Sequence, residues 1–171
     1  RDVKKSLRDE ALVDFLFSTG VRVGELAAMD ISNVDFAAGT VTFRGEKSDR
    51  FRTVILDARA KRHLAVYLNS RKDNNPALFV SERLYGGQPR RLKKDAIENI
   101  TKAVGRAAGL HKVLTVHVFR RTLATRLADK ECPLEVIQEI LGHRSPTTTK
   151  RYVAKNITRI RRQAVRYMDA A

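Results

Sequence analysis

Six side chains are of types that hold phosphate oxygens or move protons, and they fall near predicted element ends. They are Arg22 in STGVRVGEL, Lys47 in RGEKSDRFR, His117 and Arg120 in HVFRR, and His143 and Tyr152 in LGHRSPTTTKRYVAK. Each alone has an ordinary reading. Arg22 suits an ion pair with Glu25, Lys47 a solvated turn, and His117 with Arg120 a capping or surface pair. His143 fits the negative end of a helix dipole, and Tyr152 a packing position. Together they form a set for phosphodiester chemistry without a metal. Fixed arginine and histidine donors stabilise the charge that gathers on nonbridging oxygens in the transition state. Arginine suits this because its planar fork stays charged and holds two oxygens at once. The phenol of Tyr152 can attack phosphorus and be displaced later, losing a proton whose unperturbed pKa is about 10. The Lys47 ammonium suits protonation of a leaving oxygen.

These residues need elements to position them. Ser6 and Asp9 open a helix over 6–18, where Leu7, Ala11, Leu12, Phe15 and Leu16 keep helical spacing and Gly20 supplies the stop. A short helix follows over 23–29. The stretch GTVTFRGEKSDRFRTVIL predicts two strands, 40–44 and 52–56, joined by the loop that carries Lys47. Asp57 caps a helix over 58–71, ALFVS adds a third strand, and YGGQP at 85–89 is a loop. Helices then follow over 93–108, 116–129, 133–141, 146–153 and 157–168. Pro133 and Pro146 sit at first helical positions, with Ser145 capping the second. His117 and Arg120, three residues apart, share a helix face. The expected fold is mixed α/β and mostly α-helical, a helical body with a small three-stranded antiparallel sheet.

Composition bounds the partner. Over 171 residues, 34 Lys and Arg stand against 19 Asp and Glu, a net charge of +15. Such a field attracts polyanions and points to nucleic acid. No apolar run of membrane-spanning length occurs, the start is unlike a secretory signal, and the single Cys132 suits a reducing cytoplasm. Cys132 itself reads as a small buried residue. There is no HExxH, no acidic cluster at ligand spacing and no GxxxxGK[ST] loop, so neither metal nor nucleotide cofactor is expected.

Three boxes resemble those of the tyrosine recombinase, or phage integrase, catalytic domain. TGVRVGEL is similar to the TG-[LVM]-R-x-x-E-L box, HVFRRTLATRL to H-x-[LF]-R-[HR]-[ST]-x-A-[ST], and VIQEILGHRSPTTTKRYV to L-G-H-x-S followed by T-x-x-Y. The resemblance covers nearly the whole chain. It implies that Arg22 and Arg120 clamp the scissile phosphate, with His117 as phosphate-side donor or general base. It makes His143 a donor to a nonbridging oxygen and Tyr152 the nucleophile that forms a 3′-phosphotyrosine with a free 5′-hydroxyl. Many members read G-K-G-x-K-x-R in the hairpin, whereas Glu46 here directly follows the glycine; Lys47 is still the lysine chosen.

The resemblance further implies double-stranded DNA as substrate, a tetramer on paired sites with this chain alone monomeric, and an N-terminal core-binding domain outside the chain. Residues 1–171 then form one catalytic domain. The tail helix from about 155 packs either on its own core or against a neighbour. Arg44, Arg50, Lys93 and Lys94 are candidate backbone-phosphate contacts, which position DNA without reading sequence. Two other readings stay open: a type IB topoisomerase-like relaxing enzyme, and an idle DNA-binding module. The nine-residue step from His143 to Tyr152 favours the recombinase over the former, and retention of all six residues weighs against the latter.

Overall fold

The computed structural model describes residues 6–46 and 51–142. Helix α1 (Leu7–Thr19) is the axis of the body. Ser6 Oγ accepts from the Asp9 N–H at its start, and Gly20 at φ 58° ends it in the left-handed region that lacks steric cost only for glycine. Its Ala11, Leu12, Phe15 and Leu16 are fully buried, so it is covered on more than one side. One cover is α3 (Ala58–Ser70), capped by Asp57, which accepts from Ala60 N–H. The other is α5 (Val116–Asp129), where Phe17 of α1 meets Phe119 edge-on at 4.6 Å. Between α1 and α3, buried Asp14 takes Arg59 Nε at 3.0 Å and the His63 ring nitrogen at 2.5 Å, which satisfies a carboxylate that could not be buried alone.

Helix α2 (Val23–Ala28) and a 3-10 turn at Ile31–Asn33 lead into a three-stranded antiparallel sheet, β1 (Val34–Asp35), β2 (Thr40–Arg44) and β3 (Phe51–Ile55). The register runs from Thr40 with Ile55 to Arg44 with Phe51. Alternation sends Val41, Phe43 and Val54 into the core.

The sheet does have three strands, but not the three expected. Val80–Tyr85, here β4, pairs instead with β5 (Gln88–Arg91) in a separate ribbon, and the third strand of the sheet is the two-residue β1. YGGQP is correspondingly a tight turn rather than a loop. Gly86 and Gly87 both have positive φ, 61° and 78°, the double left-handed geometry whose twist suits a two-residue hairpin. Tyr85 and Gln88 already belong to the strands.

Helices α4 (Lys94–Ala107) and α6 (Leu134–Leu141) complete the described body. Pro133 stands at the N-cap of α6, one position before the predicted place. Leu123, Ala124, Ala128, Ile137 and Leu141 form a second, smaller core between α5 and α6. The predicted helices over 146–153 and 157–168, with Ser145, Pro146 and the tail, lie outside the described residues. No helix among the described residues is long and apolar enough to cross a membrane.

Candidate active site

The site is built where three helix ends meet. Arg22 is the N-cap of α2, placed there because α1 has just ended at Gly20. Glu25, at the third position of α2, reaches back so that Oε2 accepts from the Arg22 backbone N–H at 2.7 Å, one half of a capping box. Its Oε1 accepts from Arg22 Nη1 at 3.0 Å. The helix start thus orients the arginine side chain as well as itself.

Arg120 lies on α5 and is 7% exposed. Its Nη1 donates to the Gly20 carbonyl at 2.8 Å and its Nη2 donates to the Leu141 carbonyl. Both carbonyls belong to C-terminal helix ends, where a cation is favoured and free acceptors remain. Arg22 Nη2 donates to the next carbonyl, that of Gly142, at 3.3 Å. The two predicted clamp arginines, far apart in sequence, therefore converge on consecutive carbonyls at the end of α6. That end leads directly to His143.

Close packing fixes the geometry. A Cβ on Gly20 would stand 2.9 Å from Leu123 Cδ2, 3.3 Å from Leu141 Cδ2 and 3.7 Å from Arg120 Cα. Gly142, at φ 60°, ends α6 in the left-handed region, and a Cβ there would fall on the Arg52 guanidinium.

Sequence reasoning passed over Arg52 and named Glu25 only as an ordinary ion-pair partner. Arg52 Nη2 donates to Glu25 Oε2 at 2.9 Å, so one carboxylate with no exposed side-chain surface serves two guanidinium groups. Arg52 also lies over the Phe43 ring, 4.8 Å from its centroid. Burial holds its guanidinium below the ordinary arginine value; the Glu25 charge opposes that shift and the Arg22 charge adds to it. The available signal was the period of the strand: Arg52 and Val54 share the inward face of β3.

The other predicted residues divide. His117 is exposed in the first turn of α5, whereas Arg120, one turn further along, is buried. Lys47, His143, Tyr152 and Arg50 lie outside the described residues. Arg44 is exposed at the end of β2, and Lys93 is the exposed N-cap of α4. Lys94 Nζ pairs with Glu46 Oε1 at 2.6 Å, and the Glu46 carboxylate lies against Gly24 of α2. The residue that departs from the common hairpin pattern thus ties the chain just past β2 to two helix starts. Among the described residues no group of three His, Cys, Asp or Glu side chains is arranged to hold a metal ion.

Arg22 and Arg52 sharing the Glu25 carboxylate, and Arg120 donating to the Gly20 and Leu141 carbonyls, gather three guanidinium groups at the end of α6. That suits an anion with several oxygens. Arg22, Glu25, Arg120, Leu141 and Gly142 lie in the boxes of a known family. The Phage integrase family model matches residues 1–159, and the chain belongs to that family. Among curated relatives, the tyrosine recombinase XerA of Pyrococcus furiosus is 34% identical over 149 residues, covering 87% of this chain and 51% of the relative. The tyrosine recombinase XerD of Oceanobacillus iheyensis is 34% identical over 158 residues, 88% of this chain and 51% of the relative. The chain spans about half the length of these relatives.

Solved structures agree. A crystal structure of XerA recombinase superposes with a TM-score of 0.80 at 35% identity, covering 95% of this chain and 58% of that one. A structure of the XerH site-specific recombinase bound to difH substrate in a pre-cleavage complex gives 0.74 at 25% identity, covering 95% and 48%.

Proposed function

We propose that residues 1–171 act as the catalytic domain of a site-specific DNA recombinase that cuts and rejoins strands through Tyr152, without metal or ATP. The observation that carries this reading is the convergence of Arg22 and Arg120 on the Gly142 and Leu141 carbonyls, immediately before the segment bearing His143 and Tyr152. The recombinase names of the relatives support it, as does the DNA-bound state of the XerH structure.

In this reading the Tyr152 oxygen attacks phosphorus, and its proton leaves to a neighbouring base such as His117. The bond to the deoxyribose 5′-oxygen breaks, and that oxygen takes a proton from the Lys47 ammonium. Arg22, Arg120 and His143 hold the nonbridging oxygens as their charge grows. The product is a 3′-phosphotyrosine and a free 5′-hydroxyl. One phosphodiester has replaced another, so a 5′-hydroxyl from a second strand reverses the step without an external energy source. Double-stranded DNA is the partner, and exchange between two duplexes calls for a tetramer on paired sites. Arg44, Arg50, Lys93 and Lys94 would add salt-sensitive phosphate contacts.

The test is incubation with a pool of nicked suicide duplexes of randomised sequence, followed by denaturing electrophoresis and peptide mapping. A covalent adduct at Tyr152 is expected, and Tyr152→Phe should bind DNA and form none. An adduct that persists in Tyr152→Phe would remove that residue from the nucleophile's role. Salt-dependent binding with no adduct in the unaltered protein would favour a binding module instead.

A further inference from the structure

Arg52 stands outside the six residues that the chemistry calls for, yet three features of the site meet on it. It shares the Glu25 carboxylate with Arg22. Its guanidinium lies against Gly142, where only the missing Cβ leaves room. It sits on β3, five residues after Lys47 in sequence and opposite Phe43 of β2.

Stability alone does not account for an arginine here. Its Nε and Nη1 are buried with no hydrogen-bond partner among the described residues. Orphaned donors of this kind are costly, and they offset part of what the buried pair with Glu25 contributes. What an apolar side chain cannot do is hold Glu25 from the far side. With Arg52 present, Glu25 Oε2 is fixed between the Arg22 backbone N–H and Arg52 Nη2, leaving Oε1 to orient Arg22 Nη1. Without it, the carboxylate can rotate and take the Arg22 fork along. The contact with Gly142 works in the same direction, since it backs the backbone whose carbonyl receives Arg22 Nη2.

We propose that Arg52 is a positioning residue for strand cleavage, holding Arg22 through Glu25 and bracing the end of α6 through Gly142. The proposal rests on the recombinase reading given above. A misplacement of about 1 Å in a clamp can slow reaction by about 100-fold.

The experiment compares the unaltered full chain with Arg52→Met and Arg52→Lys on suicide duplexes whose scissile group is a normal phosphate or a neutral methylphosphonate. Three quantities are read: DNA affinity, urea midpoint and single-turnover cleavage rate. Arg52→Met is expected to bind DNA within about twofold of the parent, with a urea midpoint below the parent's because Glu25 is left with Arg22 alone. Its cleavage of the phosphate substrate should fall by roughly 10- to 100-fold. The deficit should shrink on the methylphosphonate, which lacks the charge that a misaligned Arg22 fails to stabilise. Arg52→Lys, which can still reach one oxygen of Glu25, should recover part of the rate.

Cleavage by Arg52→Met within about twofold of the parent would overturn the proposal. So would equal losses on both substrates, because that is the signature of damage to the fold and not of a misplaced charge. Should Arg52→Met not fold, Arg52→Lys decides: a full parental rate on both substrates overturns the proposal, and a phosphate-selective deficit supports it. If the unaltered protein forms no adduct with any duplex, the recombinase reading itself fails and takes this proposal with it. An active parent with an unaffected Arg52→Met removes the proposal alone.

Discussion

Arg22 Nη2 donates to the carbonyl of Gly142 at 3.3 Å, joining positions 120 residues apart. The bond connects the start of α2 to the end of α6, and Arg120 grips the carbonyl one residue earlier. The fork of Arg22 is therefore divided between Glu25 and the α6 terminus. A lysine keeps the charge but has a single ammonium and no rigid fork. Arg22→Lys should lower single-turnover cleavage by about 100- to 1,000-fold, with DNA affinity little changed. Near-parental cleavage would contradict a clamp role.

Glu25 accepts from two guanidinium groups, and its side chain has no exposed surface. Removing one partner of a buried pair leaves uncompensated charge, at a cost of about 3–5 kcal/mol. Glu25→Ala should lower unfolding free energy by that amount in urea titration. A loss below about 1 kcal/mol would place the pair in the weak class of surface ion pairs.

Gly20 and Gly24 should respond differently to alanine. At Gly20 the backbone is left-handed, and the new methyl would press on Leu123 and Leu141 in the small core. Gly20→Ala should cost about 1–2 kcal/mol from conformation alone. At Gly24 the neighbour is the end of the Glu46 side chain, which can swing aside, and alanine is the better helix former. Thermal melts should show Gly20→Ala well below the parent and Gly24→Ala near it. Equal losses at both would show that the α1 terminus is not closely packed.

Away from the site, Arg71 and Asp73 pair through two hydrogen bonds, Nε to Oδ2 at 3.0 Å and Nη2 to Oδ1 at 2.5 Å. Arg71 also donates to the Asn75 and Ala77 carbonyls, tying down the chain before β4. The Arg71 hydrogen bonds hold the Asp73 carboxyl below its ordinary range, with burial opposing. As pH falls, the unfolded chain takes up this proton first. The stabilisation is therefore complete above the unfolded pKa and is lost as pH falls through the folded one. Asp73→Asn should lower the urea midpoint at neutral pH, and its gap to the parent should close as pH falls through the lowered folded-state pKa. A gap unchanged from neutral to acid would show that the charge contributes nothing.

Local signals in the sequence carried far. Ser6, Gly20 and Asp57 bounded α1 and α3 because capping and left-handed stops act within a few residues. The long-range pairings were harder to read. Val80–Tyr85 has strand composition, but its partner Gln88–Arg91 contains Pro89 and two arginines, and nothing local marks such a run as a strand. The Gly86–Gly87 turn was the legible clue. In the site, the family boxes named Arg22 and Arg120, and the structure brings both to one helix end. Arg52 was legible only as part of an alternating strand. Its role depends on a carboxylate and a glycine that approach it only in the folded chain.

The left-handed turn at Gly142, held by Arg22 and backed by Arg52, is a point fixed from two other elements. Leu141, one residue earlier, is at once a wall of the small core between α5 and α6 and the acceptor for Arg120. The anchor of the clamp and the packing of that core are therefore one object. A substitution that loosens the core, at Leu123 or Ile137, reaches the arginines without touching them, so the precision of the site is inherited from the tightness of its apolar neighbours.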